Sequence, residues 1–242
     1  NNKGEVVVKA KYLEAYDFSE GLAWVMNFDN RGYIDTSGRF IIEHTGKGFG
    51  NSFKEGFAAF ANDSAKFGYI NKNGEQKIDF LYDEAGDFSE GLAMVNNMGF
   101  WGYIDTSGKL IIKHSYDFAR NFSGGFAFVG IPDTSMYSTL WGLISKNGNM
   151  MFNFKYKNVR DFSNGIAAAF DGKKWKYIDP QDNQIIKNTY DFAEQFKNGL
   201  AFIIDEKKKL CGFINPAGEM IYEIPYDADE VIDLRLNKKV KG

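Results

Sequence analysis

Two histidines, a single cysteine and a recurring aspartate are the residues of this 242-residue chain whose types invite a chemical reading. His44 and His114 each lie six residues after a glycine, Gly38 and Gly108. A general base needs a nucleophile or acid within reach, and none recurs beside this pair, so both are expected to be structural or solvated. No His or Cys spacing of the zinc type is present. Cys211 has no partner for an intramolecular disulfide and is expected to be a packed free thiol. Asp35 and Asp105 open Asp-x-x-Gly segments that could each offer a carboxylate to calcium. Calcium takes six or more oxygens, however, and Asn71, Ser145 and Asn215 fill the same position elsewhere, so a turn-forming role is expected. The glycines of the recurring Phe-x-x-Gly string do not read as a phosphate cradle, because no helix follows to present its amide end. Gly86 and Gly172 stand alone and read as turns. No catalytic residue, metal site or cofactor is predicted.

What remains is apolar side chains that could make contacts. Trp24 and Trp175 are candidates for stacking on a glycan if exposed. Ile131, Met136 and Tyr137 sit in an insertion, Gly130 to Leu140, and are candidates for contact with a protein partner. The net charge of −3 gives no general reason to expect nucleic acid. Short lysine groups at 173–176, 207–209 and 238–241 read as solvated loop or terminus. No run of the sequence is long and apolar enough for a transmembrane helix, and no signal peptide is visible, although the start at Asn1 leaves room for a removed leader.

These candidates are positioned by a repeat. The Phe of Phe-x-x-Gly recurs at 18, 53, 88, 122, 162 and 196, in steps of 35, 35, 34, 40 and 34. A fixed period of this size signals stacked supersecondary units. Two columns are invariant in all six copies. One is Ala23, Ala58, Ala93, Ala127, Ala167 and Ala201; the other is Ile34, Ile70, Ile104, Ile144, Ile178 and Ile214. Each unit reads as a three-stranded antiparallel meander, for example Leu92–Val95, Trp101–Asp105 and Leu110–Ile112. The second hairpin closes with a short polar starter and a Gly, replaced once by Asp182. The first hairpin varies in length. From the Phe-x-x-Gly glycine to the second-strand glycine position the separations are 11, 12, 11, 17, 11 and 13, which places the insertion on a surface loop. Strands one and two are apolar on both faces, as when small sheets stack face to face in a propeller blade.

The strings Phe-Ser-Glu-Gly-Leu-Ala-x-Val, Trp-Gly-Tyr-Ile-Asp-x-x-Gly-x-x-Ile-Ile and Tyr-Asp-x-Ala resemble the WG β-repeat family of bacterial proteins over essentially the whole chain. The Trp-Gly pair is intact at 101–102 and 141–142. Elsewhere it becomes Arg31-Gly32, Phe67-Gly68, Trp175-Lys176 and Cys211-Gly212. The resemblance implies an all-β repeat scaffold, often within large or exported proteins, and no shared reaction.

One β-repeat domain over 1–242 is expected, with repeats from about 12, 47, 82, 116, 156 and 190. Residues 1–11 look like a partial unit and 226–242 like a degenerate cap. Either these ends complete one another in a closed, propeller-like ring, or the chain is an open stack with capped ends. The expected function is a non-enzymatic binding or scaffolding protein acting on a protein partner. A glycan-binding module is the alternative, and a hydrolase on a propeller scaffold the third.

Overall fold

The computed structural model describes residues 6, 11–28, 30–134 and 138–225. Both proposed end pieces fall almost wholly outside them. The chain divides into two compact units, Asn1–Phe122 and Ser123–Gly242. Among the described residues there are six small antiparallel sheets and no helix.

The third sheet shows the plan. Leu92–Asn97 pairs with Phe100–Asp105, which pairs with Leu110–Tyr116. All three predicted strands are present, each extended beyond its expected end. A fourth strand was not foreseen. Glu84–Ala85, from the Tyr-Asp-x-Ala string, pairs with the first strand through Val95↔Ala85 and Asn96↔Glu84. Five of the six sheets have four strands, which corrects the three-stranded meander. Two-residue strands leave no period to read, and only pairing with a neighbour defines them.

The two invariant columns turn out to be one pair. Ala23↔Ile34, Ala58↔Ile70, Ala93↔Ile104, Ala127↔Ile144, Ala167↔Ile178 and Ala201↔Ile214 sit opposite one another in six hairpins. Every member is buried. A methyl opposite a branched chain keeps each sheet thin enough for its neighbour to pack closely.

Successive sheets within a unit are joined by a second constant device. The strand-two Tyr packs on the Phe of the next repeat, with ring centroids 4.8 Å apart for Tyr33–Phe53 and Tyr69–Phe88, and 4.9 Å for Tyr103–Phe122 and Tyr177–Phe196. The same hydroxyls donate to backbone carbonyls of that next repeat: Tyr33 to Asn51 at 2.6 Å, Tyr69 to Gly86 and Tyr103 to Arg120 at 2.7 Å, and Tyr177 to Glu194 at 2.9 Å. Ser19, Ser89 and Ser123 donate to the carbonyls of Phe53, Phe122 and Phe162. Phe18 has no such Tyr before it among the described residues and is 47% exposed.

The second-strand glycine has a steric cause. A Cβ at Gly32, Gly68 or Gly102 would lie 2.0, 2.5 or 2.5 Å from the carbonyl oxygen of Ile42, Ile78 or Ile112 in the third strand. Register shifts mark that crossing in the first three sheets. Lys176 occupies the glycine position in the fifth repeat, and there the third strand is absent. The chain makes only isolated bridges, Ile178↔Gln184 and Trp175↔Tyr190.

The turns follow their expected chemistry. Asp35 Oδ1 accepts from the Ser37 and Arg39 amides at 2.9 and 3.1 Å, and Asp105 Oδ1 does the same for Ser107 and Lys109. Asp182 takes the left-handed backbone, φ 69°.

The insertion is not a loop. Phe126–Asp133 and Ser138–Ser145 form the longest hairpin, in register through Ile131↔Leu140 to Asp133↔Ser138. Extra residues added evenly to both arms continue the ladder and keep their backbone groups paired. Asp133 is buried and paired with Lys157, so the extension is anchored to the start of the next repeat.

Two substitutions test these devices by denaturant unfolding. Tyr69→Phe keeps the ring but orphans the Gly86 carbonyl, and should cost about 1 kcal/mol. Ala93→Leu, at a fully buried position, should overpack the stack and cost about 1–3 kcal/mol. A neutral Ala93→Leu would show that the sheets are not closely packed there.

Candidate functional site

The residues singled out for contact are placed differently from one another. Trp24 is 2% exposed and Trp175 5% exposed. Neither indole is available for stacking on a glycan, which corrects that expectation. Trp24 packs edge-on against Tyr33 and Phe60, and Trp175 lies against Phe170, with the Arg160 guanidinium 4.8 Å from its ring centroid. Large rings at these columns fill space between sheets, and sequence alone does not show which face a neighbour will cover. Ile131 is half-buried on the extended hairpin. Met136 and Tyr137 lie outside the described residues.

The chemical candidates also have local explanations. His44 Nε2 lies 3.2 Å from the Gly48 amide and 3.3 Å from Asp63 Oδ1, and its ring packs against Phe60. His114 is half-buried beside Tyr82, and burial lowers its pKa. Cys211 is buried, its thiol donates toward the Ile224 carbonyl, and burial raises its pKa. Both effects suit packing rather than nucleophilic attack. Among the described residues no group of three His, Cys, Asp or Glu is placed to hold a metal ion.

The feature not yet absorbed by the fold is a cleft of about 480 Å³ in the first unit. Its first wall comes from the second sheet, where Phe49 and Phe67 meet edge to face at 5.5 Å. The third repeat adds Glu84, Gly86, Asp87, Met94 and Trp101, and Asn121 completes the lining. The residue two before the constant Phe sets this repeat apart. In other repeats that position holds Tyr16, Asn51, Arg120, Arg160 or Glu194, but here it is Gly86. Gly86 is no turn, correcting the sequence expectation. It follows a strand, donates to the Met94 carbonyl at 2.8 Å and has no left-handed φ. A Cβ there would lie 2.7 Å from Met94 Cγ and 3.3 Å from Asn121 Oδ1.

The polar groups of the cleft are left over. Asp87 is half-buried, and among the described residues no hydrogen-bond donor or ion-pair partner reaches its carboxylate. Burial raises its pKa, and Lys54, at longer range, only partly opposes this. Asn121 Oδ1 is buried without a donor. Trp101 is half-buried and Phe49 is 40% exposed. Buried polar atoms are normally satisfied, so unsatisfied acceptors beside aromatic rings mark a place built for something other than stability. A search of the sequence for bulky repeat-breaking residues passes over this site, because its signal is a missing side chain.

A carboxyl with a raised folded pKa supports the fold when protonated, and that support is lost as pH rises through the folded pKa. Asp87→Asn should therefore raise the midpoint of thermal unfolding at pH 7. The gain should be about 1–2 °C, because solvent screens a half-exposed group, and should shrink towards pH 4. A lower midpoint at pH 7 would mean that Asp87 holds a structural partner.

The family model described as "WG containing repeat" matches residues 1–30, 32–64, 67–98, 101–131, 141–175 and 177–208. Five of these segments start at or next to the second strand of a sheet, and the matched unit is thus out of phase with the sheets. A comparison with curated protein sequences finds no match. Among solved structures the chain resembles β-propeller proteins. One is a eukaryotic initiation factor, 11% identical, with a TM-score of 0.60 over 90% of this chain and 66% of that one. Another is Hsv2 of Kluyveromyces lactis with loop 6CD replaced by a Gly-Ser linker, 9% identical, TM-score 0.52, covering 89% and 80%. Hsv2 of Kluyvelomyces marxianus is 8% identical, TM-score 0.51, covering 84% and 82%. At such identities the likeness concerns the fold alone.

Proposed function

Because the chain belongs to the WG-containing repeat family, we propose that it is a non-enzymatic binding or scaffolding protein whose ligand site is the cleft between Phe49 and Trp101. The observation that carries this is the contrast between the cleft and the packing devices of the repeat; among the described residues Tyr12, His114, Ser145 and Tyr190 each also hold a buried polar atom without a partner, but none lines this cleft. The constant Phe, Tyr, Ala and Ile are engaged in packing between strands and sheets, and the turn aspartates in holding amides. Asp87 and Asn121 Oδ1 have no such engagement. An aromatic-lined concavity with a few unsatisfied polar groups is the usual form of a binding site. A hydrolase would use a second acid beside Asp87; Glu84 lines the same cleft, and the fate of a bound compound decides between the two readings. The half-buried Ile131 on the anchored hairpin of the second unit is a separate candidate contact for a protein partner.

Gly86→Asn separates these readings. It installs the side chain that Asn51 supplies in the preceding repeat and should fill the cleft. A small-molecule panel screened by thermal shift should yield compounds that raise the midpoint of the natural chain, lose that effect in Gly86→Asn, and are recovered unchanged. Recovery of a cleaved product, or equal shifts in the variant, would overturn the proposal.

A further inference from the structure

Resting on the reading of this cleft as a ligand site, we propose that its ligand is a primary alkylammonium group, held by the Asp87 carboxylate while its apolar stem lies along Trp101 and the Phe49–Phe67 pair. Three observations point to this chemistry.

The polar groups left unsatisfied are acceptors. Asp87 has two carboxylate oxygens without a donor from the described residues of the protein. A carboxylate is acceptor-only when ionised, and an ammonium is donor-only with three hydrogens to give. A sugar hydroxyl brings one hydrogen and two lone pairs, so it adds more acceptors than donors. The charge has the right sign too. Glu84 also lines the cleft, and Lys54 is near enough to act on Asp87 without forming an ion pair. The walls complete the set, because aromatic faces attract cations. Phe49 turns its edge to Phe67 at 86°, and both rings line the cleft together with the Trp101 indole.

Burial of Asp87 opposes its ionisation in the empty protein. An ammonium placed against it reverses that preference, since an opposite charge at short range favours the carboxylate. Tyr33 and Tyr69 also feel Asp87, but their hydroxyls are committed to the carbonyls of Asn51 and Gly86. The volume of about 480 Å³ suits a small amine or one lysine side chain. Free and peptide-borne amines share this chemistry, and the experiment distinguishes them.

The test is calorimetric titration of the full chain with hexylamine, hexanol, a capped Gly-Lys-Gly peptide and cellobiose. Hexylamine, the lysine peptide or both should bind at least about tenfold more tightly than hexanol. Asp87→Asn should remove that advantage while leaving the unfolding midpoint no lower. Trp101→Ala should weaken every cleft ligand. A free-amine source gives hexylamine binding without peptide binding; a partner's lysine gives the peptide at least equal standing. Equal affinity for hexylamine and hexanol, or amine binding unchanged in Asp87→Asn, would overturn the ammonium assignment. Cellobiose binding sensitive to Trp101→Ala would overturn it in favour of a sugar and leave the binding function intact. Failure of all four probes would also overturn it, while the wider ligand screen against Gly86→Asn still decides whether the cleft binds anything.

Discussion

Within each unit the structure depends on a contact between consecutive repeats: a strand-two Tyr laid on the Phe of the next repeat, with its hydroxyl on a carbonyl two residues before that Phe. The contact joins an apolar ring pair to a buried hydrogen bond, so the next sheet is fixed in both distance and register. Its exception is informative. Leu143 replaces Tyr in the fourth repeat and has no hydroxyl to give. There Phe162 stacks on Phe128 instead, at 5.5 Å and 12°, and the Ser123 hydroxyl still ties down the Phe162 carbonyl. The packing survives a change of residue because ring area and one backbone tie are both supplied from other positions.

The hairpin after each constant Phe links neighbouring repeats in the same spirit. Glu20, Glu55 and Glu90 hold φ of 52°, 53° and 56°, ahead of glycines at 83–87°, which makes a two-residue turn with both central residues left-handed. Asn or Gly would suit that backbone better, and the fourth to sixth repeats do use Gly124, Asn164 and Asn198. The glutamates reach the following repeat. Glu55 accepts from the Glu90 and Gly91 amides at 2.6 and 2.8 Å, and Glu20 from the Gly56 amide at 3.1 Å with Lys72 at 2.9 Å. A locally unfavourable residue is kept where it holds the next turn in place.

Function enters where the repeat departs from itself by subtraction. Gly86 withholds a side chain where other repeats supply Asn, Arg, Glu or Tyr, and the space is lined by groups that the fold does not use. Asp87 belongs to the column also occupied by Asp17, Ser52, Asn121, Asp161 and Gln195. It lacks the bonds that hold other carboxylates of this chain, such as those of Asp83 to Lys66 and the Met98 amide. A half-buried acid without partners weakens the fold at neutral pH.

The amino-acid sequence by itself determined the period, the all-β class, the turn chemistry and the pairing-ready Ala and Ile columns, because each rests on local backbone preference repeated six times. It also exposed the irregular fifth repeat, where Lys176 stands in for glycine. Its consequence, a lost third strand, follows only once that strand's carbonyl is seen to pass over the position. Tertiary structure alone decided the rest. It supplied the two-residue strands, whose pairing is non-local. It turned the supposed insertion loop of the fourth repeat into a hairpin, because ladder hydrogen bonds form wherever both arms lengthen together. It buried Trp24 and Trp175, since exposure depends on which neighbouring sheet covers a side chain. And it made a cleft from Phe49, Asp87, Trp101 and Asn121, residues from three repeats whose juxtaposition depends on how the sheets pack and on one absent side chain.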